Sequence, residues 1–372
     1  MKSHCMYLLS LLLIVGLITS CSIDDDGGNN QPEELTTAIL PQPESVIIDI
    51  PDALSFGGPG FGNRVAQDEV GVESEDLYDG LRLVVAIGEA AAEITGEILT
   101  VIIASGVADL ESFTLISDDD GRTKNFEVTR DVTYNGVDYE FELNMFDEDG
   151  SQAAQIVWTR EPFLGVATLN PYHIDRREDE NLADTFLRIE FGQGKNDYPA
   201  FMEISITGFP PEEDDDEFLD NMKMFVGADG DIVEVYGNAN FPSLQIIDPN
   251  FSEGRNYAFV ARANDPLDIA VAQIGLPPSS VGTNENILED YSIFNVFSEE
   301  LMSAGIDNEE LIALLLQGTE PPGYFEGELG LTGIGDDVPD NPGFTDEFID
   351  LSDLSPFVPS EVRDLTLDFL GN

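Results

Sequence analysis

Lysine is almost missing from this chain of 372 residues, which has only Lys2, Lys124, Lys195 and Lys223. In all, 15 basic residues face 74 acidic ones, a formal net charge of -59. A nucleic-acid partner is excluded on that ground, because such binding draws its affinity from basic side chains on phosphates. The same charge opposes adsorption to anionic lipid headgroups, so membrane attachment requires a covalent anchor. Histidine is equally scarce. Beyond His4 only His173 remains, and one imidazole cannot build a multi-histidine metal site. The two cysteines are Cys5 and Cys21, so the chain beyond them has no internal disulfide, thiolate metal site or catalytic thiol. Stability must come from packing, and 42% apolar residues over this length can supply a core. A fixed-period repeat, a Gly-x-Ser-x-Gly elbow, a His-Glu-x-x-His pair and a phosphate-binding glycine loop are all absent.

What is present begins with an export signal over residues 1–20. Lys2 leads into the apolar run from Met6 to Ile18, which is too short for a comfortable membrane span, and small residues Thr19 and Ser20 follow. Ile18-Thr19-Ser20-Cys21 resembles the lipobox of bacterial lipoproteins: an aliphatic residue, two small residues and a cysteine directly after the apolar stretch. The resemblance covers the leader alone. It implies that Cys21 becomes the N-terminus and carries a thioether-linked diacylglyceryl group, with several acyl chains of the palmitate kind holding the protein on a bilayer. Ser22, where an aspartate would stand for inner-membrane retention, implies the outer membrane. Asp24-Asp25-Asp26 looks like the acidic stretch of lipoproteins that some Gram-negative bacteria export to the cell surface, and it also reads as a solvated linker. Residues 21–77 are expected to form a Pro/Gly-rich acidic tether, except that 45–51 (Ser-Val-Ile-Ile-Asp-Ile-Pro) can add an edge strand or pack on the body.

For the body the pattern predicts an α+β fold. Residues 80–106 read as one long apolar helix with Glu89, Glu93 and Glu97 on one face. Alternation in 137–145 predicts a half-buried strand, joined to 126–134 through the hairpin signal Asn135-Gly136. Strands are also expected at 156–158, 165–169, 186–191, 201–207 and 257–263, with 224–226 and 232–236 joined across Asp229-Gly230. Short connections predict an antiparallel meander, a curved sheet of roughly eight strands packed on the helix within residues 78–276. Residues 277–372 are expected to be mainly helix and loop, with helices at 286–304, 308–317 and 359–370 and a loop at 318–342.

Two constellations stand out for chemistry. Trp158, Arg160, His173, Arg176 and Arg177 gather the rare cations and form a candidate ligand or anion site; equally, the arginines neutralise acids such as Asp175, Glu178 and Asp179. Asp118, Asp120, Asp147, Asp149, Asp229 and Asp231 sit beside glycine turns and are candidate calcium ligands, although Asp-Gly is also ordinary turn chemistry and no segment completes a twelve-residue calcium loop. Calcium is the one cofactor entertained. No catalytic residue stands out, because 74 acids make any chosen pair of carboxylates uninformative. The reading favoured is a membrane-anchored secreted lipoprotein that binds an apolar ligand or an envelope protein without catalysis. Its rivals are an extracellular carboxylate-dependent hydrolase of the glycosidase kind and a structural component of an envelope assembly.

Overall fold

The computed structural model describes residues 47–55, 74–104, 112–117, 120–177, 180–209, 219–242, 254–316 and 319–371. Cys21, the 24–26 run, Asp118 and most of the tether lie outside them. Helix α1, Ser74–Ala104, comes first. Thirteen strands follow in one sheet whose spatial order is the chain order. They are β1 Phe113–Ile116, β2 Thr123–Tyr134, β3 Val137–Phe146, β4 Gln152–Arg160, β5 Phe163–Leu169, β6 Phe186–Gly192 and β7 Ala200–Thr207. The remainder are β8 Asn221–Asp229, β9 Ile232–Phe241, β10 Arg255–Asn264, β11 Ile269–Gly275, β12 Gly323–Glu326 and β13 Leu331–Ile334. Short helices punctuate this run: α2 Pro171–Ile174, α3 Ile287–Asp290, α4 Ile293–Ser303, α5 Glu309–Leu315, α6 Asp346–Ile349 and α7 Pro359–Arg363.

This architecture corrects the expected one. An antiparallel sheet of roughly eight strands on a long apolar helix, closed by a helical C-terminal region, is not the fold; the sheet has thirteen strands and dominates the chain. Four strands escaped the pattern for physical reasons. In β11, Ile269-Ala270-Val271-Ala272 is buried on both faces, so nothing alternates. Strands β12 and β13 are four residues each inside a Gly/Pro-rich stretch that reads as loop, and β1 is as short. The C-terminal helices are shorter than expected. The 286–304 segment breaks at Tyr291 and Ser292, and 359–370 is helical only as far as Arg363.

Two compact units divide the described chain: a first of Asp49–Gly88 with Pro211–Leu365, and a second of Glu89–Pro210 with Thr366–Asn372. In the first unit, Tyr78 of α1 donates its hydroxyl to the Ala272 carbonyl at 3.5 Å and meets Phe325 edge-on at 5.7 Å. Gly80 lies under the Tyr257 ring, and Arg82 donates to the Asp52 and Ser55 carbonyls at 3.1 and 2.9 Å. The 45–51 run is not a strand where it is described. Instead Ile50, Ala53 and Leu54 are buried, and the Ala53 amide donates to Asp268 at 3.0 Å. The opposite side of β9–β12 is covered by the chain's own later segment, where Phe348, Leu351 and Leu354 join Val260, Ile269, Val271 and Tyr324 in one apolar cluster. Both faces of these strands are therefore dry.

In the second unit, Leu143, Ile156, Trp158, Ala167, Ile189, Phe191 and Ile204 are buried along β3–β7. The sheet makes room for large rings at glycines. Gly165 of β5 pairs with Phe191 of β6, and Gly237 of β9 in the first unit pairs with Phe259 of β10. In both pairs the ring occupies the volume a Cβ would need, the aromatic cover that makes glycine tolerable within a strand.

Candidate functional site

The scarce cations of the second unit converge on Asp147, at the end of β3. The Arg122 Nε donates to both oxygens of Asp147 at 2.9 and 3.0 Å, Lys124 Nζ donates at 3.0 Å and Arg176 Nε at 2.7 Å. Lys124 also donates to Asp120 at 2.8 Å and to the His173 carbonyl at 3.2 Å, while Arg176 reaches Asp149 at 2.7 Å. Asp147 is fully buried and Lys124 nearly so. Burial works against the charge on Asp147, yet the hydrogen bonds from Arg122, Lys124 and Arg176 outweigh it and hold this carboxyl far below the usual range. Asp120 follows the same logic: burial pushes it up, and the Lys124 bond with two backbone N–H groups brings it below its ordinary value. Burial, helped by the Arg176 charge, pushes the His173 imidazole below its ordinary value. Its buried Nδ1 has no hydrogen-bond partner among the described residues. The Arg176 guanidinium lies 4.6 Å over the Tyr172 ring. Three carboxylates thus meet three cations, a balanced lock that ties the β1–β2 and β3–β4 turns to α2.

Only part of the candidate ligand set is brought together. His173 and Arg176 share this lock. Trp158 and Arg160 sit at the far end of β4, whose start is marked by the Asn170 N–H donating to the Ala153 carbonyl. Seven residue steps along the strand separate Ala153 from Arg160, roughly 23 Å at about 3.3 Å each. There Trp158 stacks on Phe141 at 5.3 Å, and Arg160 covers the same ring while pairing with Glu140 at 2.7 Å. Arg177 pairs with its neighbour Asp175 at 2.8 Å. Of the candidate calcium ligands, Asp120, Asp147 and Asp149 are occupied by the cations above. Asp229 is exposed at the β8–β9 turn, and the Asp231 carbonyl accepts from Asp265 N–H at 3.0 Å. No group of three potential ligands among the described residues is placed to hold a metal ion.

A second arrangement was invisible in the sequence. Polar side chains of the strands grasp main-chain groups of the C-terminal segment. In the first unit, Asn221 donates to the Arg363 carbonyl at 3.0 Å, Asn238 to that of Phe357 at 2.8 Å and Asn256 to that of Pro359 at 3.3 Å. Arg262, held by Glu234 at 2.5 Å, donates to the Asp350 carbonyl at 2.6 Å and to the Asp353 carboxylate. In the second unit, the Leu370 N–H donates to Gln155 Oε1 at 2.6 Å, and Gln155 Nε2 returns a bond to the Leu370 carbonyl at 3.2 Å. Gln155 is itself aimed by Glu142 at 2.7 Å, and Tyr134 donates its hydroxyl to the same Glu142 oxygen at 2.5 Å. Burial and then the Glu142 bond push the Tyr134 phenol up to about 12, so it stays a donor. Arg188 donates to the Asp368 carbonyl at 2.5 Å, Phe369 meets Phe186 edge-on at 5.3 Å, and Leu370 packs on Tyr139, Val157 and Val166. A side-chain amide that bonds both the N–H and the C=O of one residue, flanked by two apolar seats, is the chemistry of a peptide-holding surface.

The chain matches no protein-family model, no curated protein and no solved structure.

Proposed function

We propose that the protein is an exported lipoprotein, fixed to the outer membrane or cell surface through acylated Cys21, that acts by holding a protein partner without catalysis. The observation that carries the anchor is Ile18-Thr19-Ser20-Cys21 at the end of an apolar run. Partner binding is supported by amide and guanidinium side chains of the strands that satisfy main-chain groups of a segment laid across them. A protein is favoured over an apolar ligand because the side chains that hold this segment are polar and meet main-chain groups. No helix among the described residues is long and apolar enough to cross a membrane, and an acylated cysteine needs none.

A Cys21→Ser variant is expected to lose acyl labelling and to leave the membrane fraction; labelling that persists in this variant sinks the anchor. Replacing Asp24, Asp25 and Asp26 by alanine is expected to reduce protease access to the body in intact cells at unchanged protein level.

A further inference from the structure

Helix α5 turns leucines outward. Its sequence is Glu309-Glu310-Leu311-Ile312-Ala313-Leu314-Leu315, apolar from the third residue on. Within it only Ile312 is buried, together with Leu316 at its end. Leu311, Leu314 and Leu315 remain 42%, 66% and 42% exposed. Spaced three and four apart, they form one stripe along the helix. A single exposed leucine is ordinary, whereas a contiguous stripe of them marks a contact surface. The helix is not a frayed end. The Asn308 side chain caps it, accepting from the Glu310 and Leu311 N–H groups at 3.1 and 3.2 Å. At the other end the Leu316 N–H donates to the Ile312 carbonyl at 2.9 Å.

Charge narrows what can cover this stripe. Asp307, Glu309 and Glu310 precede it and are exposed, and Glu310, one turn before Leu314, borders it. Between Arg262 and Arg363 the chain has no lysine, arginine or histidine, and these three acids form no ion pair among the described residues. An apolar stripe edged by unneutralised carboxylates defines its complement, an apolar seat edged by cations. A bilayer is a poor match. Helices that lie in a lipid interface carry lysine and arginine on the polar side, with tryptophan or phenylalanine beside the leucines, and α5 has none of these. Its carboxylates would also meet the negative surface potential of anionic lipid.

We propose that α5 is a docking element whose Leu311, Leu314 and Leu315 enter an apolar groove of a protein partner, rimmed by lysine or arginine side chains. Anchors at these spacings are how an amphipathic helix engages such a groove. Opposite charge at the rim steers the approach, and salt weakens it. The inference rests on the partner-binding reading above and names a surface for it. It involves neither Cys21 nor the strand side chains that hold the C-terminal segment, so its failure is separate from theirs.

The probe is a synthetic amphipathic helix of leucine and lysine, the simplest apolar surface with a cationic rim. It is titrated into purified full-length protein carrying Cys21→Ser, so that no acyl group takes part. Binding is expected that weakens with salt and is absent for the matching peptide of leucine and glutamate. Leu311→Ser combined with Leu314→Ser should weaken it by about tenfold or more, as the loss of a buried leucine predicts, without moving the melting transition. Glu309→Gln combined with Glu310→Gln should weaken it less and reduce its salt dependence. Val338→Ser changes an exposed apolar residue outside α5 and should leave it unchanged. If the double serine variant binds the lysine peptide as tightly as its parent, the contact is general charge attraction and the proposal is overturned. Absence of any binding overturns it as well. Flotation with phosphatidylcholine vesicles that depends on these leucines would make α5 a lipid contact and overturn it equally.

Discussion

Asp147 shows how much one residue carries when cations are rare. Fifteen basic residues serve the whole chain, and three of them meet on this carboxylate. Asp147→Asn keeps the shape and removes the charge, which leaves buried Lys124 and half-buried Arg176 with too little compensation. A loss on the order of 3–5 kcal/mol is expected for breaking such a buried set, measurable as a lower denaturation midpoint. The pH dependence has a definite sign. Asp147 and Asp120 are both depressed in the fold, so the unfolded chain binds more protons in acid. Their contribution is whole above the unfolded carboxylate value of about 4 and disappears as pH falls through the folded values. Melting temperature should therefore drop steeply below that pH in the wild type and less steeply in Asp147→Asn. The gathering of cations was partly legible: His173 and Arg176 stood out in the sequence as part of the one basic cluster. Their partners did not, since Asp120 and Asp147 are distant in sequence and read as turn chemistry or calcium ligands.

At the scale of elements, the hairpins were the most legible features. Asn135 and Gly136 adopt φ of 53° and 81°, as a two-residue turn between β2 and β3 requires. Near Asp229 the turn residues are Gly230 and Asp231, one place later than the signal suggests, because Asp229 still pairs with Ile232. Illegible were the strands whose two faces are both dry and the tail that is apolar without being helical. Phe369 and Leu370 repeat with Val362 and Leu365 at helical spacing, yet each docks on a strand face instead. Glycines within strands are covered by aromatic rings: Phe191 lies against Gly165 and Phe259 against Gly237. Gly237→Ala should cost about 1–3 kcal/mol by pushing Phe259 out of its place. A thermal melt checks this, and an unchanged transition would show that the ring can shift freely.

For the whole molecule, charge bears on the proposed anchor. A net charge of -59 destabilises any compact state through self-repulsion, which counter-ions relieve. Melting temperature is expected to rise along a sodium chloride series and then level off; a flat response would mean that the acids are already paired or well separated. Such a surface does not adhere to anionic lipid by itself, so the proposed residence at a membrane would rest on Cys21. The central claim is tested most directly by the intact mass and N-terminal peptide of the protein extracted from native membranes. The account predicts a chain that starts at Cys21 and carries a diacylglyceryl group on its sulfur. A mature chain that begins elsewhere, or that keeps Cys21 as a free thiol, would contradict it.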